Sequence, residues 1–307
     1  MPPAPMPPAP VQAHLTELLE PQLIAKLDQL EVLSRKIFRS RQKGERRSRR
    51  KGTSIEFADY REYVPGDDTR YLDWNIFGRL ERLYIKLFFE EEDLSFYVLV
   101  DTSASMNFGE PMTKFEYARK LAAALGYVAL KNQDKFGVTQ VGNRAESRFR
   151  PVRGKGQLGK LLNYLSALEP KSGTNLVEGC RDFVYQNTQP GIVVLISDFL
   201  DDRGYEDALK HFFMRNYDVY CIQVLSPEER DPTTVGHLTL EDAETGERQD
   251  VTLTEGMLKQ YKATVEAFCG GLRDWCTGRG MTYLATTTDV PLETALMNYL
   301  RQRGLLR

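Results

Sequence analysis

Residues 98–106, VLVDTSASM, carry three strand-forming apolar residues straight into an aspartate followed by two serines. A strand covered on both faces reads as an unbroken apolar run, and in an open parallel sheet ligands gather beyond the carboxyl ends of the strands, where strand order reverses. A second such place is IVVLISDF, residues 192–199, which sets Asp198 directly behind another apolar run. Alternate residues on a sharp strand-to-loop bend point the same way, so Asp101, Ser103 and Ser105 share a direction. SGTNL, residues 172–176, places Thr174 just before a helix that starts near Leu176. If the two strands are neighbours, Asp101, Ser103, Ser105, Thr174 and Asp198 converge on one small volume.

Outward from this stretch, apolar strand-like runs alternate with amphipathic helical ones, the signature of βαβ units and a mostly parallel sheet. The spacing predicts strands over 96–100, 136–141, 192–196, 219–225 and 281–285. It predicts helices through Phe115, Ala118, Leu121, Leu125 and Val128, and near 158–168, 176–185, 205–216, 256–277 and 292–301. HLTLEDAETGERQDVTL, residues 237–253, alternates on both sides of Glu244-Thr245-Gly246 and reads as an inserted β-hairpin. The expected fold class is therefore α/β, with a central sheet flanked by helices.

Before that domain the organisation differs. Residues 1–10, MPPAPMPPAP, read as a Pro-rich tail. Leu23, Leu27, Leu30, Leu33 and Ile37 recur at helical spacing, so residues 11–51 read as an amphipathic helix running into a basic segment. From Arg35 to Lys51 that segment is opposed by Glu45 alone. Residues 52–94 read as a small β-rich segment with a turn at Pro65-Gly66, and residues 95–307 as the α/β domain. In the middle segment Arg61, Asp68, Arg70 and Trp74 are expected to form a structural latch.

Composition narrows the function classes. The chain has 307 residues, 41% of them apolar and 27% charged, with a formal net charge of -2, which gives no global pull toward nucleic acid. It has no apolar run long enough to span a bilayer and no basic-then-apolar start, so a cytoplasmic location is expected. Cys180, Cys221, Cys269 and Cys276 lack CxxC spacing and read as reduced. Three scattered histidines, His14, His211 and His237, argue against a zinc site or a Ser-His-Asp triad. GKGQLGKL, residues 154–161, nearly spells a phosphate-binding loop, but Leu161 stands where the Mg²⁺-binding hydroxyl belongs.

The five candidate groups all offer oxygen, which suits a hard divalent cation: Mg²⁺ first, with Mn²⁺ or Ca²⁺ as alternatives. Hydroxyl ligands bind weakly, so one position stays exchangeable, open to water or to a carboxylate from another protein. The plainer reading makes the serines caps of backbone amides and Asp198 the cap of a turn. A phosphate hydrolase would want a second acid two residues after Asp101, where Ser103 stands, so a non-enzymatic reading is favoured. The basic run supports two alternatives, an adaptor on nucleic acid, disfavoured by the presence of Phe38 alone among aromatics, or peripheral contact of residues 35–51 with an anionic membrane.

Asp101-Thr102-Ser103-Ala104-Ser105-Met106, Thr174 and Asp198 resemble the metal-ion-dependent adhesion site of von Willebrand factor A domains. The resemblance implies a Rossmann-like fold and a Mg²⁺ held by Ser103, Ser105 and Thr174. It implies that Asp101 and Asp198 act directly or through water, and that a partner's acidic side chain completes the shell. This sequence departs at Phe199, where glycine is often found. EFADYREYVPGDDTRYLDW, residues 56–74, is similar to the signature of bacterial domain-of-unknown-function family fifty-eight. That resemblance implies a MoxR-type AAA ATPase as partner, the pair assembling or maturing a client protein.

Overall fold

The computed structural model describes residues 18–30, 55–90, 95–142, 148–170, 175–187, 191–234, 236–243, 246–300 and 305–306. Two compact units emerge: one joins the helix near the N-terminus to everything from residue 95 on, and the other holds the described residues 55–90.

In the larger unit a six-stranded sheet is built from β3 (Ser95–Asp101), β4 (Lys135–Val141), β5 (Arg148–Val152), β6 (Ile192–Ser197), β7 (Asp218–Leu225) and β10 (Thr282–Thr287). Across the sheet the order is β10-β7-β6-β3-β4-β5, with only β5 antiparallel to its neighbour. The chain winds outward from β3 through β4 to β5, then returns to the other side of β3 and winds through β6 and β7 to β10. This is a doubly wound, von Willebrand A-like α/β fold, and its strand order reverses between β3 and β6.

Alternation along β3 explains why its run is apolar throughout. Phe96, Val98 and Val100 enter one core cluster, while Tyr97 and Leu99 enter the other. The first cluster is covered by α3 (Lys114–Lys131) and α4 (Leu158–Ser166), the second by α5 (Leu176–Gln186), α6 (Glu206–Met214) and the C-terminal part of α8 (Glu255–Thr277). A capping box starts α3, with Thr113 accepting from the Glu116 amide and Glu116 reaching back. Gly126 lets α3 lie close, because a Cβ there would collide with Leu161 and Phe136.

The helix near the N-terminus, α1 (Pro21–Leu27), belongs to this unit, with Leu18, Leu19, Leu23, Leu27 and Leu30 buried in the first cluster. Tyr127 donates to Asp28 at 2.9 Å and Asn132 to the Leu30 carbonyl at 2.9 Å, fixing the segment on α3. Leu33, Ile37 and the basic run 35–51 lie outside the described residues. So does the Pro-rich stretch.

Every predicted strand and helix of this domain is present, within a few residues. Two details differ. The edge strand β5, RFRPV, was not expected, because a strand bounded by solvent on one side, with alternate arginines and Pro151, has no apolar run to show. The last helix is a single α-turn, Leu292–Thr294, that continues as a π-turn over Ala295–Leu300. GKGQLGKL follows that edge strand and enters α4 through one 3₁₀ turn, Lys155–Gln157, away from the switch point. The predicted hairpin is β8 (Gly236–Glu241) paired with β9 (Arg248–Leu253), reached from β7 through the short helix α7 (Pro227–Arg230).

The smaller unit pairs β1 (Ile55–Glu62) with β2 (Tyr84–Glu90) antiparallel, and a helix, α2 (Trp74–Leu80), lies between them in sequence. The expected latch is redistributed. Arg61 pairs with Asp67 at 2.8 Å rather than with Asp68, because Asp67 also accepts the Val64 amide and is thereby held beside the turn. Asp68 caps the 3₁₀ turn Thr69–Tyr71 and pairs with Arg70 at the surface. Trp74 is 65% exposed and meets Phe77 edge-to-face at the surface of α2; the buried anchor is Asp73, which caps α2 and takes Tyr60 and Lys86.

Candidate functional site

At the reversal of strand order, β3 delivers Asp101 at its last position and β6 delivers Ser197 at its own, with Asp198 next. Pairing of Val100 with Ile196 sets Asp101 opposite Ser197, whose hydroxyl donates to Asp101 Oδ2 at 2.5 Å. The other carboxylate oxygen, Oδ1, accepts the Ser103 amide at 2.9 Å, which turns the chain sharply out of the strand. That bend brings the Ser103 and Ser105 hydroxyls to 3.0 Å from each other, and Ser105 Oγ donates to Asp198 Oδ2 at 2.9 Å. Asp101, Ser103, Ser105 and Asp198 are therefore brought together. Thr174 lies outside the described residues; its neighbour Asn175 caps α5 by accepting the Glu178 amide.

Thr102 points the other way and is fastened to β4, its hydroxyl donating to the Val141 carbonyl at 3.1 Å and accepting from Gln140. Phe199 adopts a left-handed backbone, φ 60°, and buries its ring in the second core cluster. Its amide donates to Ser197 Oγ at 2.9 Å, while the Leu200 amide donates to Asp198 Oδ1 at 3.1 Å. The bend is made here by a buried aromatic, with one hydrogen bond from its own amide and one from the next residue's.

Sequence reasoning missed two groups. Ser197 was hidden as the last residue of an apolar run. Lys114, in the first turn of α3, has no exposed surface, and its ammonium lies 2.8 Å from Asp198 Oδ2 and 2.5 Å from Glu229 Oε1. Glu229 is in turn part of a capping box with Ser226 at the start of α7. The signal for Lys114 was a cation in a helix's first turn, where the dipole opposes it.

The electrostatics are those of a site short of positive charge. Burial, then the Asp198 carboxylate, push the Asp101 carboxyl up to about 7, against the hydrogen bonds from Ser197 and Ser103. No cation pairs with Asp101 among the described residues. Burial works to discharge Lys114, but Asp198 and Glu229 outweigh it and raise its pKa. Among the described residues no three His, Cys, Asp or Glu side chains gather as a metal-holding group; here the carboxylates of Asp101 and Asp198 are supplemented by hydroxyls. A divalent cation fits this donor set, since it would answer the uncompensated charge of Asp101 with oxygen ligands already converged.

The family described as "Protein of unknown function DUF58" matches residues 59–267. An uncharacterized protein of Mycobacterium tuberculosis is 24% identical over 309 residues, covering 97% of this chain and 97% of the relative. Among solved structures, BatB from Bacteroides thetaiotaomicron is 18% identical with a TM-score of 0.40, over 68% of this chain and 98% of that one. The SpRpn10 VWA domain is 13% identical with a TM-score of 0.37, over 67% of this chain and 94% of that one. Strand order, rather than these distant likenesses, identifies the fold. Among the described residues no helix is long and apolar enough to cross a membrane.

Proposed function

The chain belongs to the DUF58 family, and we propose that it acts as a divalent-metal-dependent protein-interaction module. The observation that carries this reading is a buried carboxylate, Asp101, without a cationic partner among the described residues, beside the Ser103–Ser105–Asp198 chain of oxygens at the switch point. Ser103 and Ser105 would hold the ion, Mg²⁺ in the first instance, with Thr174 as the further hydroxyl implied by the adhesion-site resemblance. Asp101 and Asp198 would neutralise it directly or through water. The bound ion would supply the charge that captures an outside carboxylate.

The rest of the work falls to this chain's own residues. Ser197 and the Ser103 amide hold Asp101 in one orientation; the Leu200 amide and Lys114 hold Asp198. Phe108 and Leu200, both 49% exposed, stand on the loops that leave β3 and β6 and offer apolar contact beside an incoming acid. Resemblance to family members found beside MoxR-type AAA ATPases supports such an ATPase as the partner, acting with this chain on a client protein. That assignment goes with a cytoplasmic location.

The test is recovery of the MoxR-type ATPase from lysate on immobilised wild type and Asp101→Ala, in Mg²⁺ and in chelator. We expect capture by wild type in Mg²⁺ alone. Equal recovery in all four conditions rejects the mechanism.

A further inference from the structure

An ammonium without exposed surface is costly to bury and persists where carboxylates compensate it. Lys114 has two, Asp198 and Glu229, and the start of α3 gives it no help from the helix dipole. The Asp198 oxygen that it binds also accepts the Ser105 hydroxyl. One carboxylate oxygen thus separates a fixed positive charge from the hydroxyl pair.

The charges decide what this does. Asp101, Asp198 and Glu229 bring three negative charges when ionised, and Lys114 brings one positive charge into contact with two of them. Part of the attraction that Asp198 would exert on a divalent ion is already engaged by an internal cation, which would also repel that ion at close range in a poorly solvated site.

Resting on the metal reading above, we propose that Lys114 is a resident counter-ion that sets the divalent affinity of the site. It weakens divalent binding, holds Asp198 in position when no ion is bound, and through Glu229 links this balance to α7 and the stem of the hairpin. Lys114 is a positioning residue, acting through Asp198.

Direct Mn²⁺ binding by electron paramagnetic resonance, with thermal melts in chelator and in Mn²⁺, tests it on the full chain. Two substitutions should move affinity in opposite directions. Lys114→Met removes the competing charge and should tighten Mn²⁺ binding at least tenfold. It should also melt earlier than wild type in chelator and regain more on adding Mn²⁺. Glu229→Gln keeps the Lys114–Asp198 pair but removes a negative charge, and should weaken Mn²⁺ binding by a similar factor.

If Lys114→Met does not fold, Glu229→Gln decides: weaker binding supports the inference and unchanged or tighter binding overturns it. Wild type and Lys114→Met binding Mn²⁺ equally well overturns the role of Lys114 and leaves the metal reading standing. Binding by Lys114→Met but not by wild type supports the role of Lys114 and overturns the metal reading for the native chain. No binding by any folded variant overturns both.

Discussion

At Phe199 two terms oppose each other. A left-handed backbone costs a non-glycine residue about 1–2 kcal/mol, whereas deleting a buried phenylalanine side chain costs about 3–5 kcal/mol. Phe199→Gly should therefore destabilise the protein by about 1–4 kcal/mol in urea denaturation, and Phe199→Ala by more, since alanine keeps the strain and loses the ring. A Gly variant as stable as wild type would mean that the ring contributes little. Asp101 gives a pH signature with a definite sign. Its carboxyl is raised from 3.8 to about 7 in the folded state, so the fold holds a proton that the unfolded chain releases. The stability this group contributes is complete below about pH 4 and is lost as pH rises through about 7. In chelator, the melting temperature of wild type relative to Asp101→Asn should fall between pH 5 and 7, and a flat difference would count against it. The convergence of Asp101, Ser103, Ser105 and Asp198 was legible because carboxylates and hydroxyls at strand ends are conspicuous. Lys114 was less legible, since its one signal, a cation opposed by the helix dipole, is shared by solvated lysines at helix starts until the tertiary structure buries it.

Elements were legible where both faces of a pattern are set by burial. The strands β3, β6 and β7 read as apolar runs because helices cover both their faces, whereas β5 and α2 gave no pattern. All positions of β5 are exposed or half-buried, and α2 buries no residue among WNIFGRL. The boundary of the N-terminal helix was less legible: its leucines were apparent, but a stripe of leucines does not say which surface it will cover. Leu27, fully buried against the first cluster, tests that docking. Leu27→Ala should cost about 2–5 kcal/mol of global stability, read by thermal or chemical denaturation. In the smaller unit the Lys86 ammonium leads the interactions that hold the Asp73 carboxyl below its ordinary value, and its own burial works against them. The stability it confers is present above pH 3.8 and lost on acidification through the lower folded value. The protection factors of the Asn75 and Ile76 amides, which donate to Asp73, should fall locally at acid pH and in Asp73→Ala, relative to the intrinsic exchange rate at the same pH.

For the whole molecule, the alternation of strands and helices revealed a doubly wound sheet, but nothing in the linear pattern says on which side of β3 the chain returns. That is decided by long-range packing, and it makes β3 and β6 neighbours and their terminal carboxylates close. The described side chains of the hairpin are exposed or half-buried. Replacing residues 236–253 by a short Gly-Ser link should shift the melting temperature by only a few degrees while reducing partner capture; a collapse of the fold would show that the hairpin is structural.

Since β7 runs parallel to β6 and β3, the short helix and hairpin that follow it depart from the same rim where Asp101 and Asp198 end their strands. On the proposed reading, a partner that docks its acid on the ion would meet that ribbon at the same rim. Under that reading, exchanging the ribbon's sequence would change which partner is accepted while the oxygens at its foot stay the same.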